Sequence, residues 1–482
     1  MQDVWIKRIG ERRGAPRLFL DVTQAIRAGF SPGESFEVAV DGQRVTLRKS
    51  PQGTHTVSKR VDKGGRELPV IDINSKELLA QFDGMDAIRV VVSPTGVHLL
   101  PLASEIKKRE RLERLMHKMA SGAPLTMGSL SHGGGILSHA IHTGLERAGI
   151  KASLAFANEI REDLIEHACQ ANDVWEDSPQ GRTAAIVMPM QEAAQDDWLL
   201  SQLPKVEILE MGLPCSGASK AGVAKRGLGK MEDHPEVGHL VHSALVILHK
   251  VQPGILLLEN VRDYATSASA QILRHQLRDM GYDLHEAILE GKDHGSLENR
   301  IRWCMVATTK GVDFDFEMLR PRVRIVQRVQ DILDPSIGPD DARWRTFQGL
   351  KDKRDRDEAK GSNFKMQVIH PEDTFVPTLR KGYHKAGSTD PLLVHPTDPN
   401  LLRLLTAAEH ARAKGIPEHL TEGLSETIAH QLLGQGIVYL PFEDLGDHIG
   451  QELKRTYEAH AQRLDLPLLE GDTSTRLERM TG

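Results

Sequence analysis

Apolar and polar positions follow two different patterns along this chain, and the change falls near residue 125. From Leu125 to about Lys310, short apolar runs with strand character are separated by longer stretches with helical spacing. The runs cover residues 184–188, 206–211, 255–258 and 303–307. Strands that alternate with helices are typical of a parallel sheet with both faces covered, so this part is predicted to be a doubly wound α/β domain.

The first hundred residues contain the same pattern twice. Shifting the sequence by 52 positions aligns apolar residues with apolar residues without a gap. The aligned pairs are Leu18 with Val70, Ile26 with Leu78, Phe30 with Phe82, Phe36 with Ile88, Val38 with Val90, Val40 with Val92, Val45 with Val97 and Leu47 with Leu99. Each copy predicts a strand, a short helix (23–28 and 75–81) and two further strands joined by a turn. One copy is too small to bury its apolar face, so the two are expected to interlock into one β-rich domain.

This repeat unit resembles the swapped-hairpin fold of AbrB-type transition-state regulators, in which two chains pair to bind DNA. In the present chain both halves would come from one polypeptide. Residues 1–120 carry 21 Lys and Arg against 15 Asp and Glu, whereas the whole chain has a net charge of −6. A mildly basic module is compatible with DNA contact through a limited surface and equally with a protein-interaction scaffold, so both interpretations stay open.

Helix-forming residues, proline content and charge divide the rest of the chain. A run of helix formers after the repeat predicts a helical linker that ends at Ser121-Gly122. Regular patterns fade after about residue 310, and a helical pattern returns near residue 403 around a predicted strand at 437–440. The predicted segments are a repeat domain (1–102), a linker (103–124), an α/β domain (125–310), an irregular region (311–402), a C-terminal helical part (403–463) and a polar tail (464–482).

Composition excludes a membrane protein. The chain of 482 residues is 39% hydrophobic and 27% charged, and none of its stretches approaches the ~18 apolar residues of a membrane span. The beginning lacks the apolar core and small-residue cleavage site of a secretory signal. The three cysteines cannot form a disulfide framework or a four-thiolate zinc site. We therefore expect a reducing, cytoplasmic compartment and a protein encoded by a bacterium, a phage or a mobile element.

Reactive side chains directly follow two of the predicted strands. Cys215 lies in a glycine-rich loop after one strand, and Glu259 follows the next. The carboxyl ends of strands in an open α/β sheet form its ligand crevice, where a thiol can act as a nucleophile. A lone cysteine is more often just a small buried hydrophobe. Arg300 and Arg302 alternate at the start of a later strand, so they are expected on one face, as a phosphate-binding pair would be.

Taken in this order, the segments resemble the DNA (cytosine-5) methyltransferases. The family's Pro-Cys loop is matched at Pro214-Cys215, its Glu-Asn-Val at 259–261, and its Gln-x-Arg-x-Arg at 298–302 with Glu298 in place of Gln. Residues 403–417 are similar to its Arg-x-Leu-Thr-x-x-Glu-x-Ala-Arg-x-x-Gly-Phe-Pro segment. The resemblance covers about residues 125–445. It implies a Rossmann-like catalytic domain, a target-recognition region at 311–402, double-stranded DNA as partner and S-adenosylmethionine as donor.

The resemblance also assigns roles on the side of the target base. Cytosine C5 becomes nucleophilic once a nucleophile has added at C6, and Cys215 as thiolate would form that bond. Glu259 would protonate or hydrogen-bond N3 and stabilise the charge that the addition creates. Because the base cannot be reached inside a duplex, it must be flipped out, and Arg300 and Arg302 would hold the flipped nucleotide.

On the donor side the sequence departs from the family. The resemblance implies that the cofactor binds at Leu130, Gly134, Gly135, Glu159, Pro214 and Gln435. Leu130 replaces a Phe, Gly128 an Asp and His132 a Gly, while Gln191 aligns with an adenine-contacting Asp and Gln435 with an Asn. These changes leave open a modified relative of S-adenosylmethionine as donor. A regulator in which a decayed methyltransferase domain binds DNA without catalysis is a further alternative.

Twenty-two histidines raise the question of a metal site. His132, His139 and His142 lie on the glycine-rich turn and the helix after it, and no acidic partner is apparent beside them in the sequence. We therefore predict no metal site. The oligomeric state and the DNA target do not follow from these patterns.

Overall fold

The computed structural model describes residues 3–12, 15–82, 85–176, 182–214, 229–361 and 366–464. The chain divides into two compact units, Met1–Glu110 and Arg111–Gly482. The predicted nucleophile Cys215 and the predicted polar tail beyond Leu464 lie outside the described residues.

The first unit has the predicted repeat. Its elements are β1 (Asp3–Arg8), β2 (Gly10–Arg12), β3 (Ala15–Leu20), α1 (Val22–Arg27), β4 (Ser35–Asp41), β5 (Arg44–Lys49), β6 (His55–Thr56), β7 (Ser58–Val61), β8 (Glu67–Ile73), α2 (Lys76–Leu79), β9 (Ala87–Ser93) and β10 (Gly96–Pro101). The first copy runs β3, α1, β4, β5 and the second runs β8, α2, β9, β10. The order of strand, helix and hairpin expected for each copy is therefore confirmed.

The two copies interlock about a local two-fold axis. Within the described residues, one sheet has the order β1-β9-β10-β5-β4-β6 and another the order β2-β3-β8-β7. Across the β5–β10 contact, Val97 pairs with Leu47, Leu99 pairs with Val45, and His98 faces Thr46. Since residues 52 apart are equivalent, this register is unchanged when the copies are exchanged. Each copy covers the apolar face of the other, as its small size requires.

The predicted linker helix is present but is more than a linker. It is α3 (Ala103–Ser121), which begins in the first unit and ends in the second. Arg111 is almost fully buried, donates to the side chain of Gln252 and the carbonyl of Met280, and lies 4.2 Å from the ring centre of Tyr282. The C-terminal half of α3 is therefore part of the core of the second unit, because its apolar face is buried there.

The second unit is built on a doubly wound sheet. Its strands are β11 (Leu125–Leu130), β12 (Ala152–Glu159), β13 (Ala184–Val187), β14 (Ile208–Met211), β15 (Ile255–Val261), β16 (Tyr282–Glu290) and β17 (Ile301–Thr309). The helices between them are α4 (Ile136–Arg147), α5 (Glu162–Ala171), α6 (Met190–Ala193), α7 (Asp197–Gln202), α8 (Leu240–Val251) and α9 (Ala268–Asp279). In the described parts of the chain the strand order is β13-β12-β11-β14-β15-β17-β16, with β17 antiparallel to both neighbours. The predicted fold class is confirmed.

Successive residues of the central strands point to opposite faces of the sheet, and both faces are covered. On β15, Ile255 and Leu257 belong to one hydrophobic cluster, whereas Leu256 and Leu258 belong to a second cluster. This explains why the central strands are continuous apolar runs in the sequence rather than alternating ones.

The irregular region has a small core of its own. Its elements and those that follow are α10 (Val329–Ile332), α11 (Gln348–Ala359), β18 (Val368–Ile369), β19 (Leu392–Val394), β20 (Leu402–Arg403), α12 (Ala407–Ala413), α13 (Glu426–Gln435) and α14 (Tyr439–Leu464). Val329, Ile369, Val376 and Tyr383 are buried together in a separate cluster. This cluster packs the described parts of the region 311–402 against one another despite their short elements.

The C-terminal helix α14 packs directly on α4. A Cβ atom on Gly144 would lie 2.2 Å from the carbonyl oxygen of Glu443, so the close contact requires glycine. The strand predicted at 437–440 is wrong: the chain enters α14 at Tyr439, because this short apolar run is the buried start of a helix. None of the described helices, α14 included, is long and apolar enough to span a bilayer.

Candidate active site

A cavity of about 850 Å³ opens at the carboxyl ends of the central strands. It lies where the strand order reverses between β11 and β14, the usual ligand position in open α/β sheets. Its walls come from the turn after β11, the ends of β12, β14 and β15, the start of β17, and the end of α13.

Most of the predicted site residues meet at this cavity. Those that line it are Gly134, Glu159, Pro214, Glu259, Arg300, Arg302 and Gln435, together with the aligned Gln191. Leu130 instead is buried in the hydrophobic cluster behind the turn, and Gly135 forms the N-terminal cap of α4. Neither residue is part of the described cavity wall. Leu130 is packed into the core of the sheet instead, and Gly135 serves to begin the helix. Cys215, the residue after Pro214, lies outside the described residues.

The turn between β11 and α4 is held by the carboxylate of Glu159. Ser131 and Gly133 have positive φ angles, and the backbone N–H of Gly133 donates to Glu159 Oε2 at 2.8 Å. Glu159 Oε1 accepts the N–H groups of Ile160 and Arg161. A carboxylate oxygen accepts about two hydrogen bonds, so Oε2 has capacity left for a ligand hydroxyl. Glu159 can therefore shape the turn and bind a ribose at once.

Two glycines of this segment are explained by close packing. A Cβ on Gly128 would lie 2.5 Å from the ring of Phe156, so the side chain that the family has there would not fit. A Cβ on Gly134 would lie 2.8 Å from Leu432, and both residues line the cavity. The replacement of Asp by Gly128 thus follows from the packing of Phe156.

His132 belongs to a buried hydrogen-bonded network behind the turn. Trp175 Nε1 donates to His132 Nε2 at 3.1 Å, which leaves the proton on Nδ1, 2.8 Å from Ser129 Oγ. Ser129 and Ser138 both hydrogen-bond to the carboxyl group of Glu210. Burial lowers the pKa of His132 to about 3, so the imidazole is neutral.

Glu210 is a cavity-lining acid that the sequence analysis did not identify. It is 2% exposed, at the end of β14, five residues before Cys215. Burial raises the pKa of Glu210 to about 7, and the nearby Glu259 acts in the same direction, against the two serine hydrogen bonds. An acidic residue within the apolar strand run was the signal available in the sequence.

Glu259 is paired with Arg302. Arg302 Nε lies 2.7 Å from Glu259 Oε1, and both side chains are mostly buried. Asn260, next in the chain, donates its side-chain amide to the carbonyl of Leu213 at 2.9 Å. The Glu-Asn-Val segment therefore presents a carboxylate to the cavity and also fixes the backbone that leads into the Pro-Cys loop.

Arg300 is held within a buried group of charges. Its guanidinium donates to the carbonyl of Gly434 at 3.1 Å and lies 3.6 Å from Glu298 Oε1. Lys414 Nζ lies 3.4 Å from Glu298 Oε2 and donates to the carbonyls of Leu433 and Gly436. Burial and the neighbouring guanidinium of Arg300 lower the pKa of Lys414 to about 7. Arg300 and Lys414 thus hold the turn 433–436, which lines the cavity.

Lys381 is a further cation on the cavity wall that the sequence did not single out. Burial lowers the pKa of Lys381, and Arg161 acts in the same direction. The backbone of Arg380 and Lys381 passes close to Gly434. A Cβ atom on Gly434 would lie 2.2 Å from the carbonyl carbon of Arg380. The irregular region therefore contributes Lys381 to the described wall of the cavity.

Comparisons with known proteins agree with this geometry. The family model described as "C-5 cytosine-specific DNA methylase" matches residues 129–451. The chain is 24% identical over 263 residues to the Type II methyltransferase M1.ScrFI of Lactococcus lactis subsp. cremoris, covering 53% of this chain and 64% of that protein. It is 27% identical over 245 residues to the Type II methyltransferase M.NlaX of Neisseria lactamica, and the match covers 49% of this chain and 74% of that protein.

Solved structures show the same fold. The S. pombe Dnmt2 methyltransferase aligns with a TM-score of 0.52 and 19% identity, covering 69% of this chain and 99% of that chain. The Entamoeba histolytica methyltransferase EhMeth aligns with a TM-score of 0.53 and 16% identity, covering 68% and 99%. The family model matches about two thirds of this chain. The chain therefore belongs to the C-5 cytosine-specific DNA methylase family.

Proposed function

We propose that this protein is a DNA cytosine-5 methyltransferase that acts through a covalent bond between Cys215 and C6 of a flipped-out cytosine. The observation that carries the proposal is the convergence of Glu259, Arg300 and Arg302 on one cavity whose wall ends at Pro214. Each lies at the motif position that the family resemblance assigns to base chemistry. The chain spans 64% of the length of M1.ScrFI, which is less than two thirds of that relative. The activity and the substrate of this chain are therefore part of the proposal.

The donor half of the cavity fits S-adenosylmethionine. The turn at Gly134 brings the backbone close to the cavity, and Glu159 can accept hydrogen bonds from ribose hydroxyls. The amide side chains of Asn158 and Gln191 belong to residues that also line this part of the cavity. When bound there, the cofactor supplies an electrophilic methyl group for C5. The neutral His132 network keeps the turn in one shape.

The part of the cavity around Glu259 and Arg302 would bind the flipped cytosine and carry out the following steps. The thiolate of Cys215 adds to C6, while Glu259 protonates or hydrogen-bonds N3 and so stabilises the electrons displaced into the ring. Arg302 orients the Glu259 carboxyl group through their 2.7 Å contact. After C5 has been alkylated, loss of the C5 proton and departure of Cys215 restore the aromatic ring.

Trapping with 5-fluorocytosine tests the covalent step. In the presence of S-adenosylmethionine, duplex DNA with this base at the target site should bind the protein irreversibly, because after transfer to C5 the fluorine cannot leave as a proton does and Cys215 stays attached. Cys215→Ser should abolish the trapping and retain DNA binding. The matched controls are Cys169→Ser and Cys304→Ser, at an exposed and a buried cysteine. Trapping that persists in Cys215→Ser and disappears in one of the controls would refute the assignment.

The transferred group is a separate question. We propose plain methyl, which adds about 14 Da to each modified cytosine in host DNA, whereas a substituted donor adds more. Calorimetry with S-adenosylmethionine and S-adenosylhomocysteine, followed by nucleoside mass spectrometry, distinguishes the two. Unmodified host DNA, with neither compound bound, would favour a non-catalytic DNA-binding regulator.

We further propose that the repeat unit is an AbrB-type double hairpin that adds DNA affinity, and that residues 311–402 recognise the target sequence. A cavity of about 500 Å³ beside the symmetric centre of the repeat is lined by Arg44, Arg89 and His98, which favours an anionic partner. Arg44→Gln with Arg89→Gln should reduce the salt slope of DNA binding by about one to two counterions. Arg66→Gln, at an exposed turn, is the control. An unchanged slope would favour protein interaction.

A further inference from the structure

We propose that His139, Asp173 and His419 form a binding site for a divalent transition-metal ion, with Zn²⁺ as the ion that fits best. One ligand atom from each of the three side chains lies within 4.8 Å of the other two. His139 is on α4, Asp173 in the turn after α5, and His419 in the turn before α13. Two imidazoles and a carboxylate are a donor set that Zn²⁺ uses, with water at an open position.

The proton of His139 can be located from the hydrogen bonds around it. The hydroxyl of Thr143 donates to the backbone carbonyl of His139 at 2.9 Å, so its oxygen accepts the hydroxyl proton of Tyr439 at 3.0 Å. The oxygen of Tyr439 must then accept from His139 Nδ1, which lies 2.6 Å away. The proton of the neutral imidazole is therefore on Nδ1, and Nε2 carries a lone pair.

That lone pair faces another acceptor. His139 Nε2 lies 3.1 Å from Asp173 Oδ1, so two electron-rich atoms meet without a proton between them. The residue is buried, with 6% of its surface exposed, so water does not separate the two atoms freely. A cation between the two atoms removes this repulsion. Zinc-bound histidines usually donate their other N–H to a carboxylate, a backbone carbonyl or water, and here the hydroxyl oxygen of Tyr439 takes that place.

The geometry is close to what zinc requires. With bonds of about 2.0–2.2 Å, the ligand atoms of a tetrahedral site are about 3.3–3.6 Å apart, near the distance between His139 and Asp173. The ring centre of His419 lies 5.4 Å from that of His139. His419 is on an exposed turn, so a small rotation of its side chain completes the set.

A metal here would act on the turn at the cavity, an effect that rests on the proposed function. Asn172, next to Asp173, donates to the carbonyls of Gly134 and Gly135 at 3.1 Å, and Trp175 holds His132. Fixing Asp173 to α4 would therefore stiffen the turn from behind. We expect zinc to tighten donor binding while the zinc site itself exists without donor or DNA.

Calorimetric titration of zinc chloride into the chelator-treated full-length chain tests the site without donor or DNA. We expect one ion bound at this site, and a rise in thermal midpoint of about 4 °C at a hundredfold excess over Kd. Asp173→Asn and His419→Gln should each weaken binding at least about 10-fold. Both positions are exposed, so the fold should be kept. His275→Gln, an exposed histidine on α9, is the matched control.

Two results would overturn the proposal. The first is the absence of zinc binding in the calorimetric titration. The second is zinc binding that survives both Asp173→Asn and His419→Gln, as binding by a cysteine thiol elsewhere in the chain would. Either result leaves the Cys215 trapping experiment intact, so failure of this site and of the proposed function are distinguishable.

Discussion

The two walls of the cavity keep their polar groups in place by different physical means. On the wall near β15 and β17, charged groups pair directly: Arg302 with Glu259, and Arg300 and Lys414 with Glu298. On the wall behind the glycine turn, uncharged side chains are linked by hydrogen bonds, in a series that runs from Trp175 through His132 and Ser129 to Glu210. We call these the base wall and the donor wall after their proposed roles. Under that proposal the base wall is organised for developing charge, whereas the donor wall is organised by shape.

This difference has an energetic consequence. A buried charge that loses its partner is costly, because water cannot replace the partner. A neutral network loses about one hydrogen bond when one member is removed, yet it is sensitive to any group in it that ionises. Damage to the base wall should therefore be large and specific to its partners, whereas damage to the donor wall should be smaller and depend on pH.

The largest effect is expected at Glu259. Glu259→Gln keeps a hydrogen-bonding group but cannot supply a proton, so turnover should fall about 10²- to 10⁴-fold. Glu290→Gln, paired with Lys292 at the end of β16, is the control and should retain turnover. Methyl transfer to a defined duplex, measured under single-turnover conditions, provides the test. A Glu259→Gln protein with near-normal rate would remove this residue from the chemistry.

The next effect concerns the charges that support Arg300. At pH 6, below its pKa of about 7, Lys414 is charged, so Lys414→Met removes one of two cations beside the buried Glu298 and should cost about 3–5 kcal/mol of unfolding free energy. Adding Glu298→Gln, which removes the stranded charge, should recover part of this loss. Urea unfolding measures both, with the exposed Lys310→Met as control. Equal losses in the single and double variants would show that the two charges are not coupled.

On the donor wall, Glu210 should make stability depend on pH. Its ionised form is disfavoured in the folded state, where its pKa is about 7 against 4.5 otherwise. Folding stability is thus unaffected below pH 4.5 and falls as the pH rises to 7, by about 3 kcal/mol. Glu210→Gln mimics the protonated form, so its stability relative to wild type should increase by that amount between pH 4.5 and 8. A pH-independent difference in urea unfolding would contradict the raised pKa.

The smallest effect is expected at Trp175. Trp175→Phe removes the donor to His132 Nε2 and should cost about 1 kcal/mol. Trp198→Phe is the control, because Trp198 is 69% exposed. Thermal unfolding at matched pH compares the two variants. A larger loss in the control would mean that the network does not stabilise the turn.

Local patterns in the sequence predicted much of this molecule. The strands of the sheet and the repeat of 52 residues follow from apolar spacing, and Glu259, Arg300 and Arg302 follow from short motifs. The role of Leu130 could not be judged in this way, because tertiary packing decides whether a residue at a strand end faces the cavity or the core, and Leu130 belongs to a buried cluster.

The residues that were missed are joined by the fold rather than by spacing. Asp173 approaches His139 from 34 positions away, and Lys414 reaches Glu298 from the C-terminal part of the chain. Neither side chain has a local signature, since an aspartate in a turn or a lysine at a helix end is ordinary. The partner of a buried charge is decided by tertiary contacts, which sequence periodicity does not contain.

The symmetric pairing of β5 with β10 has a consequence for assembly. Both halves of this interlocked sheet belong to one polypeptide, joined by the short stretch that includes β6 and β7. A tether of this kind gives each half an effective concentration for the other in the millimolar range. Formation of the unit is then independent of protein concentration. The two copies are also free to diverge, so His98 and Thr46, although equivalent in position, can differ in chemistry at the centre of the unit.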